Sequence, residues 1–183
     1  AHAHSPAGMN DAIRAGVASI EHGSLVDDEG IQLMLEHGTY LVPTLYTLDF
    51  IIEEGEEWGI PQYSIDKAAS MEVQQRERLR KAYEAGVKFA YGTDAAVFPH
   101  GRNAKDFQIL VEELGVPPMA AIRMATSDSA ELIGIAEEVG TLEPGKYADV
   151  IAVAGNPLED ITLLEDVQFV MKGGVVYKSP EDE

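Results

Sequence analysis

The chain contains 183 residues, of which 45% are hydrophobic, so it is long and apolar enough to bury a core in one or two domains. Its net charge of −19 at pH 7 argues against binding to nucleic acid or to an anionic membrane surface, because both require basic patches. The absence of cysteine excludes disulfides, thiol nucleophiles and cysteine metal ligands within these residues, and no apolar run of about 18 residues predicts a membrane span.

Helical and strand-like patterns alternate over the first half of the chain. The patterns predict helix 7–15, strand 17–20, helix 27–36, strand 39–42, helix 64–85 and strand 87–91, in that order. The segment 46–63 is acidic and aromatic, and Gly55, Gly59 and Pro61 are expected to keep it irregular. Strands that alternate with helices are typical of a parallel sheet with right-handed crossovers.

The pattern changes in the last quarter of the chain. Before it, three further helices are predicted, with Asn103 as the cap of the first and with starts at Pro117 and Ser127. After a turn-rich lead at 140–146, strands are predicted at 148–153, 167–171 and 175–177. The last two strands flank Gly173-Gly174 and are expected to form a hairpin. We therefore expect an α/β domain over residues 1–138 and a small β unit over residues 139–183.

Polar residues stand directly after the predicted strands. These residues are His22, Thr44 and Asp94. In a (β/α) barrel, the edge at which parallel strands end is where the chemistry is done. Imidazole and carboxylate are suitable ligands for zinc, and a carboxylate beside metal-activated water can carry its proton. Taken alone, His22 is either a ligand or a hydrogen-bonded structural residue, and Asp94 is either a ligand or a turn cap.

The other four histidines have different settings. His2 and His4 alternate, so a strict strand would point them to opposite faces unless the chain turns between them. His37 lies at a helix end, where it suits the C-terminal end of the helix dipole. His100 lies in a loop just beyond Asp94 and is either a substrate contact or a solvated turn residue.

Five short motifs together resemble a known family. They are Ala1-His2-Ala3-His4-Ser5-Pro6, Ile20-Glu21-His22-Gly23, Val42-Pro43-Thr44-Leu45, Tyr91-Gly92-Thr93-Asp94, and Gly140-Thr141-Leu142-Glu143-Pro144-Gly145-Lys146-Tyr147-Ala148-Asp149. In this order and spacing they resemble the C-terminal portion of an amidohydrolase-superfamily enzyme. The matching branch includes imidazolonepropionase-like proteins and Xaa-Pro dipeptidases.

The resemblance implies a fold and a set of site residues. The fold is α/β, with residues 1–138 forming strands five to eight of a (β/α)8 TIM-type barrel and a β-sandwich segment following. His2, His22 and Asp94 correspond to ligands of a divalent metal, most simply zinc, and Asp94 also corresponds to the general base. His4 falls where related dipeptidases carry a tyrosine near the substrate, so it and His100 are candidate substrate-binding residues.

The resemblance also implies an activity and its limits. Members of this branch use metal-activated water to cleave the C–N bond of a small amide, dipeptide or cyclic amide. The family's His-x-His pair after the first strand and its lysine after the fourth have no counterpart here, so we expect a fragment with little activity. The alternative is a non-catalytic half-barrel whose unpaired edges drive homo-oligomerisation. The sequence leaves the cellular compartment undecided.

Overall fold

The computed structural model describes residues 1–180, which form helices and two separate sheets. The helices are α1 (Pro6–Arg14), α2 (Asp28–His37), α3 (Tyr46–Glu54), α4 (Gln62–Glu84), α5 (Lys105–Glu112), α6 (Pro118–Arg123) and α7 (Ser129–Leu132). The strands are β1 (His2–Ala3), β2 (Ser19–His22), β3 (Tyr40–Val42), β4 (Val150–Val153), β5 (Val167–Lys172) and β6 (Val175–Lys178). A π-helix (Met124–Asp128) joins α6 to α7, and a 3-10 helix (Ile161–Glu165) precedes β5.

The first sheet is parallel, as the alternating pattern predicts. Its strand order is β1-β2-β3, and both pairings are parallel. The predicted strand 87–91 is wrong in extent, because only Phe89 pairs, through one parallel bridge to Leu41. The ladder stops there because its next bond would run from residue 43 to the Ala90 carbonyl, and Pro43 has no N–H. The Tyr91 N–H donates to the Met124 carbonyl at 3.1 Å.

The ends of α1 and α2 follow from local sequence. Ser5 caps α1, and its hydroxyl accepts a hydrogen bond from the Gly8 N–H at 3.4 Å. The Asp27 carboxylate accepts from the Gly30 N–H at 2.8 Å and caps α2 in the same way. Gly38 ends α2 with a left-handed φ of 69°, which glycine adopts at little cost.

Three predicted helix features are wrong. Residues 46–54 form the helix α3 within the segment expected to be irregular. Asn103 does not cap α5, since Ala104 holds that position and the Asn103 side chain accepts from the Gly101 N–H at 3.1 Å inside the loop. Ser127 lies within the π-helix, and α7 begins two residues later.

The parallel sheet separates two apolar layers. Ile20, Leu41 and Phe89 pack with Met9 and Ile13 of α1 in the main core. Tyr40, Val42 and Ala90 form a smaller cluster. Successive strand residues point to opposite faces, so these clusters mark the two faces of the sheet.

The second sheet is antiparallel and largely exposed. Its order is β4-β5-β6, and the predicted hairpin is confirmed, with Gly173 and Gly174 at positive φ in its turn. Val175, Val176 and Tyr177 of β6 are 56%, 49% and 70% exposed. Within residues 1–180, none of the helices combines the length and apolarity needed to cross a membrane.

Candidate metal centre

Three residues that end or follow the strands of the parallel sheet share an unusual backbone conformation. His22, Thr44 and Asp94 have φ values of 72°, 47° and 54°. Residues with a side chain rarely adopt positive φ, and holding one there costs on the order of 1–3 kcal/mol. Such strain concentrates at functional sites, and these are the residues that the strand-end pattern selects.

The three strained residues line one cavity. Its volume is about 260 Å³, and His2, Glu21, Val42, Gly92 and Thr93 complete its lining. The expectation that His22 and Asp94 lie at the same edge of the sheet therefore agrees with the structure. Within this lining Gly92 packs closely against Val42, because a Cβ at Gly92 would lie 2.5 Å from a Val42 methyl carbon.

Three histidines meet beside this cavity. His22 Nε2 lies 2.8 Å from His2 Nδ1, and the His4 ring stacks on the His22 ring with a centroid distance of 4.7 Å and an angle of 17°. One ligand nitrogen from each ring lies within 4.8 Å of the other two. His2 and His4 converge despite their alternation because β1 ends at Ala3 and the chain turns into α1.

Hydroxyl groups orient two of these rings. His22 Nδ1 lies 2.7 Å from the buried Thr44 hydroxyl, which leaves Nε2 directed at His2. His4 Nδ1 lies 3.0 Å from the Ser24 hydroxyl. Metal-binding histidines are commonly oriented by such a partner on the other ring nitrogen.

Burial and neighbouring imidazoles favour the neutral forms of His4 and His22. Burial lowers the pKa of His4, and the neighbouring imidazoles of His22 and His2 lower it further. Burial and then His2 lower the pKa of His22, while the Asp94 carboxylate opposes this shift. A neutral imidazole has a free lone pair on one nitrogen, which is the form that binds a metal.

The donor set fits a divalent metal. Neutral imidazole nitrogens and a carboxylate are the nitrogen and oxygen ligands that zinc accepts. His2, His22 and Asp94 line the same cavity, and the ligand atoms that lie within 4.8 Å of one another are those of His2, His4 and His22. His100 is exposed and lies outside the lining of this cavity, so the structure gives it no contact with the cluster.

Some residues of the site were not selected from the sequence. Glu21 lines the cavity, and its position inside the quoted histidine motif is the signal that could have found it. Ser24 contacts His4, and Gln75 of α4 contacts Ser24. The sequence around Gln75 does not indicate that it is buried. A glutamine in a charged helix is expected on the solvated surface, whereas Gln75 is 2% exposed.

Comparison with known proteins identifies the family. Residues 1–177 match the amidohydrolase family, and the chain belongs to it. The resemblance to amidohydrolases and Xaa-Pro dipeptidases that the motifs indicate is therefore confirmed.

Individual relatives are similar over almost the whole chain. A Xaa-Pro dipeptidase solved with methionine in its active site is 49% identical, with a TM-score of 0.90 over 97% of this chain and 44% of the dipeptidase. A prolidase solved with N-methylphosphonate-L-proline is 38% identical, with a TM-score of 0.88 over 97% and 44%. Ochratoxinase from Aspergillus niger is 38% identical over 98% of this chain and 38% of its own length. The chain thus spans less than half the length of these relatives.

Proposed function

We propose that this chain contributes the His2, His22 and Asp94 metal centre of an enzyme that hydrolyses C–N bonds of small amides. The observation that carries the proposal is that the imidazoles of His2 and His22 and the Asp94 carboxylate line one cavity, with His22 and Asp94 at positive φ. Dipeptides and cyclic amides are the proposed substrates. The names of the relatives, a Xaa-Pro dipeptidase, a prolidase and ochratoxinase, support this class.

We also propose how the two sheets belong to a larger architecture. The parallel sheet and its helices, within residues 1–138, would form strands five to eight of a (β/α)8 barrel. Residues 139–183 would form part of a β-sandwich. The close match to amidohydrolase structures supports both assignments.

The chain's own residues have defined roles in the proposed reaction. His2 and His22 would hold a divalent metal, and the Thr44 hydroxyl contacts His22 Nδ1, which directs Nε2 toward His2. A bound divalent ion, most simply zinc, supplies acidification of water and polarisation of the amide carbonyl. The Asp94 carboxylate takes a proton from water as the water oxygen adds to the amide carbon. The C–N bond then breaks as Asp94 passes that proton to the leaving nitrogen. His4 and His100 are proposed to contact the substrate.

A binding experiment tests this proposal without requiring fast turnover. A phosphonate analogue of a Xaa-Pro dipeptide is titrated into the full 183-residue chain with and without zinc. We expect binding that depends on zinc and is lost in His22→Ala, because the metal would hold the phosphonate oxygen. A matched His37→Ala variant removes a histidine at the end of α2 and should bind normally. Zinc-independent binding that His22→Ala leaves unchanged would exclude this site.

A second candidate function is favoured by the exposed second sheet. Val175, Val176 and Tyr177 leave apolar surface on a strand that pairs only with β5 within the described residues. Exposed edge strands with apolar side chains promote pairing with another chain. We therefore propose, as the alternative to catalysis, a half-barrel that self-associates through such edges.

A further inference from the structure

A run of three hydrogen bonds, two of them buried, connects helix α4 to the ring of His4. Arg76 Nη1 donates to Gln75 Oε1 at 3.1 Å, and Gln75 Nε2 donates to Ser24 Oγ at 3.3 Å. Ser24 Oγ lies 3.0 Å from His4 Nδ1. Ser24 and Gln75 are each 2% exposed, so water does not readily replace these partners.

The far end of this run is anchored by charge. The Arg76 guanidinium forms ion pairs with Asp49 of α3 and with Glu113, the latter at 2.8 Å. A guanidinium carries only donors and stays protonated in proteins. Gln75 must therefore turn its amide oxygen toward Arg76, which leaves its amide N–H groups for Ser24.

The direction of the hydrogen bonds follows step by step from this anchor. Because Gln75 donates, the Ser24 oxygen must accept at that contact. Among the described residues, the Ser24 hydroxyl has hydrogen-bond contacts with Gln75 and His4 alone. Its own hydrogen is therefore satisfied only if it points at His4 Nδ1, and a buried hydroxyl hydrogen without an acceptor is unfavourable.

We propose that Arg76, Gln75 and Ser24 form a relay that holds His4 in the tautomer with its proton on Nε2. In this form the ring offers an N–H donor beside the other two histidines, and its Nδ1 lone pair is used by Ser24. His4 is then a donor to a carboxylate or carbonyl oxygen of the substrate and not a third metal ligand, since a ligating nitrogen needs a free lone pair. Ser24 and Gln75 are positioning residues, and the substrate contact rests on the proposed function.

The tautomer is measured directly by nitrogen NMR. The metal-free full chain is labelled with 15N-histidine, and long-range proton–nitrogen correlations show which ring nitrogen carries hydrogen. The signals of His4 are assigned by their loss in His4→Gln. We expect the Nε2–H form in the unmodified chain.

Gln75→Glu tests the relay itself. The carboxylate stays ionised beside Arg76 and accepts from Ser24, which turns the Ser24 hydrogen away from the ring. His4 is then expected to switch to the Nδ1–H form, donating to the Ser24 oxygen. Gln74→Glu places the same charge on the neighbouring exposed position of α4 and should leave His4 unchanged.

Two results would overturn the proposal. One is an Nδ1–H form of His4 in the unmodified chain, and the other is a His4 tautomer that Gln75→Glu does not alter. If Gln75→Glu does not fold, Ser24→Ala decides instead, because removing the hydroxyl should leave a mixture of both tautomers, whereas an unchanged pure Nε2–H form contradicts the relay. No metal or substrate is needed, so failure here leaves the proposed hydrolysis to be judged by its own binding test.

Discussion

The Thr44 hydroxyl shows how one residue can organise the proposed centre. It is buried, it stands on a strained backbone, and it lies 2.7 Å from His22 Nδ1. The ring of His22 is thereby turned so that Nε2 faces His2. A hydrogen-bond partner on the second ring nitrogen holds the orientation of a ligating imidazole.

Thr44→Val is expected to weaken zinc binding by roughly 10–100-fold, because it deletes this partner while keeping the branched shape of the side chain. Zinc affinity measured by competition with a chromophoric chelator checks the expectation. Thr141→Val removes a hydroxyl from an exposed turn and serves as the control. Equal affinities in the two variants would mean that Thr44 does not orient the ligand.

Gly23 is required because the chain packs closely just after the end of β2. It has a φ of 57°, and a Cβ at this position would lie 2.2 Å from Cδ1 of the fully buried Leu41. Gly23→Ala is therefore expected to lower the free energy of unfolding by roughly 1–3 kcal/mol or more through overpacking. Gly16→Ala is the matched control, because Gly16 also has positive φ but no atom lies within 4 Å of its added Cβ.

Urea unfolding of both glycine variants separates the two costs. Each variant bears backbone strain, so the difference between them reports the clash with Leu41. A smaller loss of stability in Gly23→Ala than in Gly16→Ala would contradict this account of the strand end.

Part of the site could be predicted at the level of single residues. His22 and Asp94 follow strand patterns, and the parallel topology brings such positions to one edge. The convergence of His2 with His4 depends on how the chain turns into α1, which the alternation alone leaves open. Gln75 could not be predicted, since its burial arises from the packing of α4 against distant elements.

At the level of elements, α3 shows how a helix can depend on a distant residue. No side chain of its own N-terminal region caps it. Asp106 of α5 does so instead, since one carboxylate oxygen accepts from the N–H groups of Leu45 at 2.6 Å and Tyr46 at 3.3 Å. The other oxygen of Asp106 is buried without a hydrogen-bond partner. Burial accordingly raises the pKa of Asp106 to about 7.

The raised pKa of Asp106 predicts a specific pH dependence of stability. The folded state binds the proton more tightly than the unfolded state, so the contribution is fully present below pH 3.8 and is lost as pH rises through about 7. Asp106→Asn keeps an oxygen acceptor for α3 but does not ionise. Between pH 5 and pH 8, the unmodified chain should therefore lose roughly 1–3 kcal/mol more stability than this variant.

Urea unfolding at both pH values measures this difference. Asp11→Asn is the control, because the side chain of Asp11 is 85% exposed and its removal should leave the slope with pH unchanged. If Asp106→Asn and the unmodified chain lose the same stability between the two pH values, Asp106 does not titrate as described.

Elements were predictable where local sequence determines them. Ser5, Asp27 and Gly38 give α1 and α2 their ends. Helix α3 was missed because its cap comes from Asp106, about sixty residues away. The strand at 87–91 was overestimated because the pairing register places Pro43, which has no N–H, where the ladder would continue.

At the scale of the whole molecule, the main core is better covered than a half-barrel would suggest. Ile20 and Phe89 are 0% and 3% exposed, because they pack in the main core on the helix side of the sheet. Exposed apolar side chains of the second sheet include Ile151 and Val176.

Self-association of the full chain is therefore expected to involve this second sheet. Sedimentation velocity should show a mass that rises with concentration, and more strongly at high salt, because salt screens repulsion between chains of net charge −19. Val176→Lys should reduce association, whereas Val73→Lys, on the exposed face of α4, should not. A monomer at every concentration and salt level would rule out self-association.

The central claim is that His2, His22 and Asp94 form a metal centre, and zinc analysis of the full chain after dialysis tests it most directly. The described residues offer this centre two imidazoles and one carboxylate, so we expect weak, substoichiometric zinc that a chelator removes. His22→Ala should abolish the binding, and His37→Ala should leave it intact. Tight zinc that survives a chelator would contradict the expectation of an incomplete site, and equal zinc in His22→Ala and the unmodified chain would contradict the metal centre itself.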